Sequence, residues 1–146
     1  MRRVYWDSCV VIYRLQAVPP WDQRVAAAME PIEELRLVVT DLTRLECRTQ
    51  PLRERDQPML ALFDQFFQRP DIESVPMSRT VFDLATELRA QHLLKTPDAL
   101  HLAAAITARC DELWTNDRRL EKAAAGRLAI REFSGKTTPN EGTNSA

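Results

Sequence analysis

Short apolar runs alternate along the chain with longer amphipathic segments, and this alternation predicts strands separated by helices. Runs of a few β-branched, aromatic and other apolar residues are typical of buried strands. Five such runs predict strands at Val4–Trp6, Leu35–Val39, Ile72–Val75, Leu113–Thr115 and Leu128–Ile130. Because strands that are joined through helices pair in parallel, the pattern indicates one parallel sheet rather than a series of hairpins.

The segments between these runs carry apolar residues at helical spacing. Helices are predicted for residues 8–15, 22–34, 42–49, 78–94 and 117–125, and around a stripe formed by Met59, Leu62, Phe63, Phe66 and Phe67. Pro51 is expected to end the helix before it, because proline lacks the amide hydrogen that a helix interior needs. Thr96-Pro97-Asp98 predicts a helix start capped by Thr96. The residues that follow, 99–106, are apolar on nearly every side, so this helix is expected to be buried.

The predicted elements make a single α/β domain. A parallel sheet presents two apolar faces, and helices must cover both, which predicts a three-layer sandwich with a short, mainly parallel central sheet. At 146 residues, the chain has room for one domain of ordinary size. We assign that domain to residues 1–133. Residues 134–146, rich in Gly, Thr, Asn and Ser, are expected to form a flexible C-terminal tail.

Rare residue types exclude several kinds of functional site. The three glycines are Gly126, Gly135 and Gly142, so no phosphate-binding loop or dinucleotide motif can follow an early strand. Two histidines nine residues apart, His92 and His101, and three scattered cysteines give no zinc-ligand spacing. An odd number of dispersed cysteines is typical of reduced thiols, which favours a cytoplasmic protein. An active site would therefore be built from carboxylates, amides, hydroxyls and arginines.

Charge and hydropathy narrow the choice of partners only slightly. The 20 basic and 21 acidic residues give a net charge of −1. This value neither favours nor excludes a nucleic-acid partner, because the charges of an acidic site and of arginines around it would cancel in the total. The longest segment without a charged residue, 99–108, is half the length of the roughly 20 residues that a membrane-spanning helix requires. We therefore expect no membrane partner.

Acidic residues cluster at the predicted sheet edge where parallel α/β sheets usually bind ligands. Asp7 follows the first strand, Glu46 lies in the helix after the second, Asp98 opens a helix, and Asp117 follows the fourth strand. Each alone is compatible with a helix cap or a favourable charge in a first helical turn. Four converging carboxylates, however, would repel one another, and a divalent cation is the usual way to stabilise such a cluster. All-oxygen ligands select Mg²⁺ or Mn²⁺.

Four motifs give the sequence a resemblance to a known family. They are Asp-Ser-Cys-Val at 7–10, Thr-Arg-Leu-Glu at 43–46, Thr-Pro-Asp-Ala-Leu-His-Leu-Ala at 96–103 and Thr-Asn-Asp at 115–117. Together they resemble the PIN-domain nucleases, and most closely the VapC-type toxins of bacterial and archaeal toxin–antitoxin pairs. The resemblance covers residues 3–131, and the third and fourth motifs at this separation are its most specific part. Cys9 stands where a small polar residue is more familiar.

The resemblance implies a PIN-like fold and a Mg²⁺-dependent endoribonuclease in which Mn²⁺ would substitute. It assigns both catalysis and metal binding to Asp7, Glu46, Asp98 and Asp117, with Ser8, Thr115 and Asn116 in supporting roles. It also implies an RNA substrate, an antitoxin partner and a homodimer.

Other polar and aromatic residues have structural as well as functional interpretations. The candidates for binding substrate phosphates, which could equally be solvated surface charges, are Arg44, Arg48, Arg118, Arg119 and Lys95. His101, on a helix that should be buried, is expected to be a hydrogen-bonded core residue rather than a catalyst. The stripe containing Phe63, Phe66 and Phe67 fits either the core or an interface with a partner.

Three alternative functions fit part of the pattern. A PIN nuclease that processes RNA without an antitoxin would carry the same acids. A phosphatase of the haloacid dehalogenase type also has an Asp after its first strand, but it needs a second Asp two residues later, where this chain has Cys9. A non-catalytic binding module would not need the four acids, yet all four are present.

Overall fold

The central sheet contains five parallel strands. In the computed structural model, which describes residues 1–133, they are β1 (Arg2–Trp6), β2 (Leu35–Val39), β3 (Ile72–Ser74), β4 (Glu112–Thr115) and β5 (Ala129–Glu132). The strand order across the sheet is β3-β2-β1-β4-β5. β1 is therefore central, with Tyr5 opposite Val38 of β2 and Leu113 of β4. The predicted tail, 134–146, lies outside the described residues.

Helices in residues 1–133 cover both faces of the sheet. They are α1 (Ser8–Leu15), α2 (Trp21–Met29), α3 (Asp41–Arg53), α4 (Gln57–Gln68), α5 (Arg79–His92), α6 (Thr96–Thr107) and α7 (Arg119–Ala124). Every connection between consecutive strands passes through at least one helix, as parallel pairing requires. The predicted three-layer α/β sandwich is confirmed. None of these helices is long and apolar enough to cross a membrane.

Alternate side chains of the strands supply two separate hydrophobic cores. On β1, Val4 and Trp6 join one core and Tyr5 joins the other, because successive side chains of a strand point to opposite faces. The core around Tyr5 includes apolar residues of α5, α6 and α7, and the core around Trp6 includes those of α1, α2 and α4. Residues 99–105 of α6 are all buried, as their almost uninterrupted apolar sequence predicts.

The aromatic stripe on α4 belongs to the core around Trp6. Phe63 is fully buried and Phe66 is 5% exposed, while Phe67 is partly buried against the same core. Phe66 stacks on Trp6 of β1 with the two ring centroids 6.3 Å apart. The choice that the sequence left open is therefore decided in favour of the core for Phe63 and Phe66.

Two predicted helix ends are wrong, and a proline is involved in each. The helix predicted for residues 22–34 ends at Met29, although Glu30 keeps helical dihedral angles, because Pro31 has no amide hydrogen with which to continue the helix. The prediction that Pro51 ends its helix also fails, since α3 continues through Pro51 to Arg53. Pro51 is buried near the end of α3. Because it has no amide hydrogen, the helix lacks only the one backbone hydrogen bond that this residue would donate.

Several other boundaries differ from the predicted ones by one or two residues. α6 begins at Thr96 itself, so the capping position belongs to Lys95, whose side chain makes no capping hydrogen bond. α7 begins at Arg119 rather than at Asp117. Asp117 stays ahead of the helix and accepts a hydrogen bond from the Arg119 amide at 2.9 Å. The last strand is β5 at Ala129–Glu132, slightly later than the predicted 128–130.

Candidate active site

The strand order creates a crevice beside the carboxyl end of β1. The chain runs outward from β1 through β2 to β3 and then returns to the other side of β1 as β4. Such a reversal of direction separates the helices that follow the two central strands, and parallel sheets bind their ligands there. Asp7 directly follows β1 and Thr115 ends β4. The Asp7 amide donates to the Trp114 carbonyl at 3.2 Å, which joins the two strand ends.

Asp7 has one structural contact and one contact across the crevice. Its Oδ1 accepts a hydrogen bond from the Cys9 amide at 2.9 Å and thereby caps α1. Its Oδ2 accepts a hydrogen bond from the Thr115 hydroxyl at 2.7 Å. Thr115 is fully buried and Asp7 is 8% exposed, so both carboxylate oxygens are held in place. Asp7 therefore caps α1 and also has a fixed position at the ends of β1 and β4.

Asp98 lies near the other two aspartates. It is in the first turn of α6, and its side chain is 25% exposed. Burial raises the pKa of its carboxyl group, and the negative charges of Asp117 and Asp7 raise the pKa further, against the opposing charge of Arg119. Asp98 shares the Arg119 guanidinium with Asp117. Asp7 accepts from the Thr115 hydroxyl, which also accepts from the Asp117 amide. Asp7, Asp98 and Asp117 are therefore linked through Arg119 and Thr115.

Arg119 is the main counter-ion of this group. Its guanidinium forms a two-pronged ion pair with Asp117, with Nη2 2.7 Å from Oδ2 and Nε 3.0 Å from Oδ1. Nη2 also lies 3.9 Å from Oδ2 of Asp98. The hydrogen bond from Arg119 is the largest of the effects that lower the pKa of Asp117, and the charge of Lys95 adds to it. In this structure, Arg119 therefore pairs with Asp117 and partly offsets the charge of Asp98.

Glu46 joins the site from α3. Its Oε1 is 2.6 Å from Nε2 of His101, and the Ser8 hydroxyl provides another hydrogen bond. Burial acts to raise the pKa of the Glu46 carboxyl, but the hydrogen bond and attraction of His101, together with the Ser8 bond, leave the pKa below its ordinary value. His101 is 2% exposed. The prediction that His101 is a hydrogen-bonded core residue is confirmed, and its partner is one of the candidate acids.

The other arginines considered for phosphate binding are also paired with carboxylates. Arg48 Nε lies 2.7 Å from Oδ1 of Asp64, and Arg44 Nη2 lies 3.9 Å from the same oxygen. Arg118 pairs with Glu132 at 3.2 Å. The side chains of Arg44 and Arg118 are nevertheless 45% and 58% exposed. A contact between these arginines and a substrate phosphate stays a prediction.

Asn116 contacts an aromatic pair. Its side-chain amide donates a hydrogen bond to the Tyr13 hydroxyl at 3.0 Å. Tyr13 stacks on Trp21, with ring centroids 5.2 Å apart and ring planes inclined by 17°. Asn116 therefore ties the loop after β4 to α1 and α2. In the sequence, Tyr13 belongs to an apolar run of a predicted helix, and nothing near it along the chain points to this contact.

The acidic side chains fit a hard divalent cation in chemistry, although they do not surround a common point. Within residues 1–133, no three His, Cys, Asp or Glu side chains are already arranged to hold a metal ion. Asp117 pairs with Arg119, and Glu46 pairs with His101. The charges of Asp7 and Asp117 nonetheless act on Asp98, and a bound cation would relieve that repulsion. Carboxylate oxygens suit Mg²⁺ or Mn²⁺ better than zinc.

Solved structures of low sequence identity share this fold. VapBC2 from Rickettsia felis, solved with a promoter DNA fragment, is 14% identical with a TM-score of 0.73, over 90% of this chain and 98% of that one. VapC20 from Mycobacterium tuberculosis, a sarcin-ricin loop cleaving toxin, is 12% identical with a TM-score of 0.69, over 88% and 98%. A toxin–antitoxin complex from Klebsiella pneumoniae is 20% identical with a TM-score of 0.59, over 88% and 95%.

Sequence comparison identifies the family directly. No curated protein sequence matches the chain significantly. The family model of the PIN domain matches residues 4–126, which is most of the chain. The matched region runs from β1 to just beyond α7 and includes all four candidate acids, Asp7, Glu46, Asp98 and Asp117. The fold and the family model therefore agree that this chain belongs to the PIN domain family.

Proposed function

We propose that this protein is a Mg²⁺-dependent endoribonuclease and the toxin component of a toxin–antitoxin pair. The observation that carries the proposal is the linkage of three acids at the ends of β1 and β4: Arg119 contacts both Asp98 and Asp117, and the Thr115 hydroxyl contacts both the Asp7 carboxylate and the Asp117 amide. A phosphodiester is an anion, so a carboxylate cluster needs a cation in order to bind it productively. Membership of the PIN domain family and the toxins of the same fold support the same interpretation.

Each acid has a proposed role in this site. Asp7 and Asp98 would be direct metal ligands, and the bond from Thr115 would keep the Asp7 carboxylate in place. Glu46 would orient the attacking water, and Asp117 would complete the coordination or help to hold a second ion. Mg²⁺ bound there would supply a water of lowered pKa and offset negative charge on the phosphate, and Mn²⁺ would substitute for it.

The basic residues around the acids would bind the RNA backbone. Arg119 is 66% exposed and now contacts Asp117 and Asp98. A divalent cation at the acids would leave its guanidinium available for a phosphate, because the carboxylates would then be neutralised by the metal. The same role is proposed for Arg44, Arg48, Arg118 and Lys95.

The proposed partners follow from proteins with the same fold. VapC20 is described as a toxin that cleaves the sarcin-ricin loop, and the Klebsiella pneumoniae structure as a toxin–antitoxin complex. For this chain, we propose an RNA substrate, an inhibitory antitoxin encoded by an adjacent gene, a homodimeric state and a cytoplasmic location.

Overexpression of the protein in a bacterial host is expected to arrest growth, and co-expression of the adjacent antitoxin gene is expected to restore it. The reason is that a ribonuclease freed from its inhibitor degrades RNA that the cell needs. Growth curves and the lengths of extracted RNAs measure the two effects.

The matched control for this experiment is Asp7→Asn. Asparagine also caps helices, so the variant should fold, yet it removes the charge that the metal requires and should be harmless. Normal growth with folded wild-type protein at the same level would contradict the toxin assignment. Such a result would favour a PIN nuclease that processes RNA without an antitoxin.

A further inference from the structure

A buried chain of hydrogen bonds leads from the sheet to Glu46. The Thr40 hydroxyl lies 2.9 Å from the Tyr5 hydroxyl, which lies 2.7 Å from Nδ1 of His101. Nε2 of His101 lies 2.6 Å from Oε1 of Glu46. Thr40, Tyr5 and His101 are at most 2% exposed. The three buried groups therefore connect one of the candidate acids to the interior of the protein.

The donors and acceptors along this chain match at every step. Nε2 of His101 donates to the Glu46 carboxylate whether the ring is neutral or protonated. The Tyr5 hydroxyl pairs with Nδ1, either donating to a neutral ring or accepting from a protonated one, and Thr40 supplies the remaining partner. Burial raises the pKa of Tyr5, so its hydroxyl keeps its proton. A buried network whose polar groups all have partners holds its side chains in place.

The chain of hydrogen bonds also connects β1, α3 and α6, the elements that position three of the four candidate acids. Tyr5 lies on β1 two residues before Asp7, and His101 lies on α6 three residues after Asp98. Thr40 caps α3, the helix that carries Glu46, through its bond with the Thr43 amide. The hydrogen bonds thus run from Thr40 at the start of α3, through β1 and α6, to Glu46, which is again on α3. The position of Glu46 is thereby fixed relative to the strand and the helix that hold the two aspartates.

We propose that Tyr5 and His101 are positioning residues that hold the Glu46 carboxylate in one orientation for the reaction. The proposal rests on the proposed nuclease function, because it gives Glu46 a task in orienting water. A glutamate side chain has several rotatable bonds, and an unfixed one loses its orientation. Two hydrogen bonds hold Glu46. The one from Ser8 comes from a partly exposed residue, whereas the one from His101 comes from a buried ring whose other nitrogen is hydrogen-bonded to Tyr5.

The substitution Tyr5→Phe removes one hydroxyl and keeps the buried ring, so it tests the proposal with little disturbance. We expect kcat for RNA cleavage to fall about 10–100-fold, the usual effect of removing a group that orients an active-site residue. KM for RNA should change less than about threefold, since no phosphate contact is lost. Phe63→Leu in the other core is the control for a loss of stability, and it should leave kcat of the folded protein unchanged.

A double-variant comparison separates positioning from a merely structural role. If Tyr5 acts through Glu46, then the double variant Tyr5→Phe with Glu46→Gln should be no slower than Glu46→Gln alone. Losses that multiply would overturn the proposal. His101→Gln, which retains an amide donor, should keep more activity than His101→Leu, and equal activities would count against the proposal as well.

A crystal structure of Tyr5→Phe gives a result that does not depend on activity. The Glu46 carboxylate should occupy more than one position in the variant and a single position in the wild type. A wild-type protein that does not cleave RNA would contradict the nuclease function, whereas an active protein with an unmoved Glu46 in Tyr5→Phe would overturn the positioning proposal alone. If Tyr5→Phe does not fold, His101→Leu replaces it, with the Glu46 carboxylate expected to occupy more than one position.

Discussion

Replacement of Asp98 by Asn is expected to abolish RNA cleavage while leaving the metal-free protein as stable as the wild type or more stable. Asn keeps the size of the side chain but removes one negative charge from a group in which Asp7 and Asp117 already oppose the ionisation of Asp98. The loss of activity should exceed about 100-fold, the upper range for residues that only support a metal ligand. Cleavage rates and thermal unfolding of both proteins, with and without Mg²⁺, measure the two effects.

The stability difference between the two proteins should depend on pH with a definite sign. The pKa of Asp98 is raised in the folded protein above its ordinary value of 3.8. At pH values between the ordinary pKa and the raised pKa, the folded state binds more protons than the unfolded state. The free energy of unfolding of the wild type therefore falls as pH rises through this range. Asp98→Asn lacks this loss, and its relative stability should therefore increase from acidic to neutral pH in metal-free buffer.

The control for Asp98→Asn is Asp83→Asn, which changes an exposed aspartate on α5. This variant should keep its activity and its stabilisation by Mg²⁺. Asp98→Asn should lose part of that stabilisation, because ligand-linked stability depends on affinity. If Asp98 served only the start of α6, the variant would stay active and would respond to Mg²⁺ like the wild type. That result would end the carboxylate-site hypothesis.

Trp6→Ala is expected to destabilise the protein by about 3–5 kcal/mol, the usual range for removing a large buried aromatic side chain. Trp6 is 1% exposed. Its ring stacks on those of Phe66 and Trp114, with centroids 6.3 and 6.0 Å away. The substitution would leave a cavity between the sheet and α4. Denaturant unfolding measures the loss, with the midpoint falling and the slope unchanged.

Phe82→Ala is the control for this experiment. Phe82 is 49% exposed, and substitutions at exposed positions usually change the free energy of unfolding by less than about 0.5 kcal/mol. A loss below about 1 kcal/mol for Trp6→Ala would show that the stack does not hold the sheet and α4 together. Because Trp6 immediately precedes Asp7, such a result would also weaken the account of how Asp7 is positioned.

The fold was predictable from the sequence because its elements have strong local patterns. The apolar run Leu35–Val39 coincides with β2 without any error in its ends. The ends of the helices were less predictable because they depend on context. Pro51 is tolerated in α3 since it falls near the end of the helix and is buried, and neither property is visible in its neighbours along the chain.

The site was predictable only as far as the backbone determines it. The rule for the carboxyl ends of parallel strands predicted the candidate acids at one edge of the sheet, and their joint action as metal ligands stays a prediction. The side-chain partners were not predictable, because they connect residues far apart in the sequence. His101 was expected to be a hydrogen-bonded core residue, but its pairing with Glu46, 55 positions away, required the packing of α6 against α3.

Cleavage of RNA by the purified protein, with and without a divalent metal, tests the central claim most directly. The same preparation is assayed in Mg²⁺, in EDTA, and after excess Mg²⁺ or Mn²⁺ is added back to the EDTA sample. Asp98→Asn, purified in parallel, reports any contaminating nuclease. The account predicts cleavage in Mg²⁺, none in EDTA, and recovery when either metal is restored. RNA cleavage that persists in EDTA and is absent from the Asp98→Asn preparation would contradict the metal-dependent mechanism.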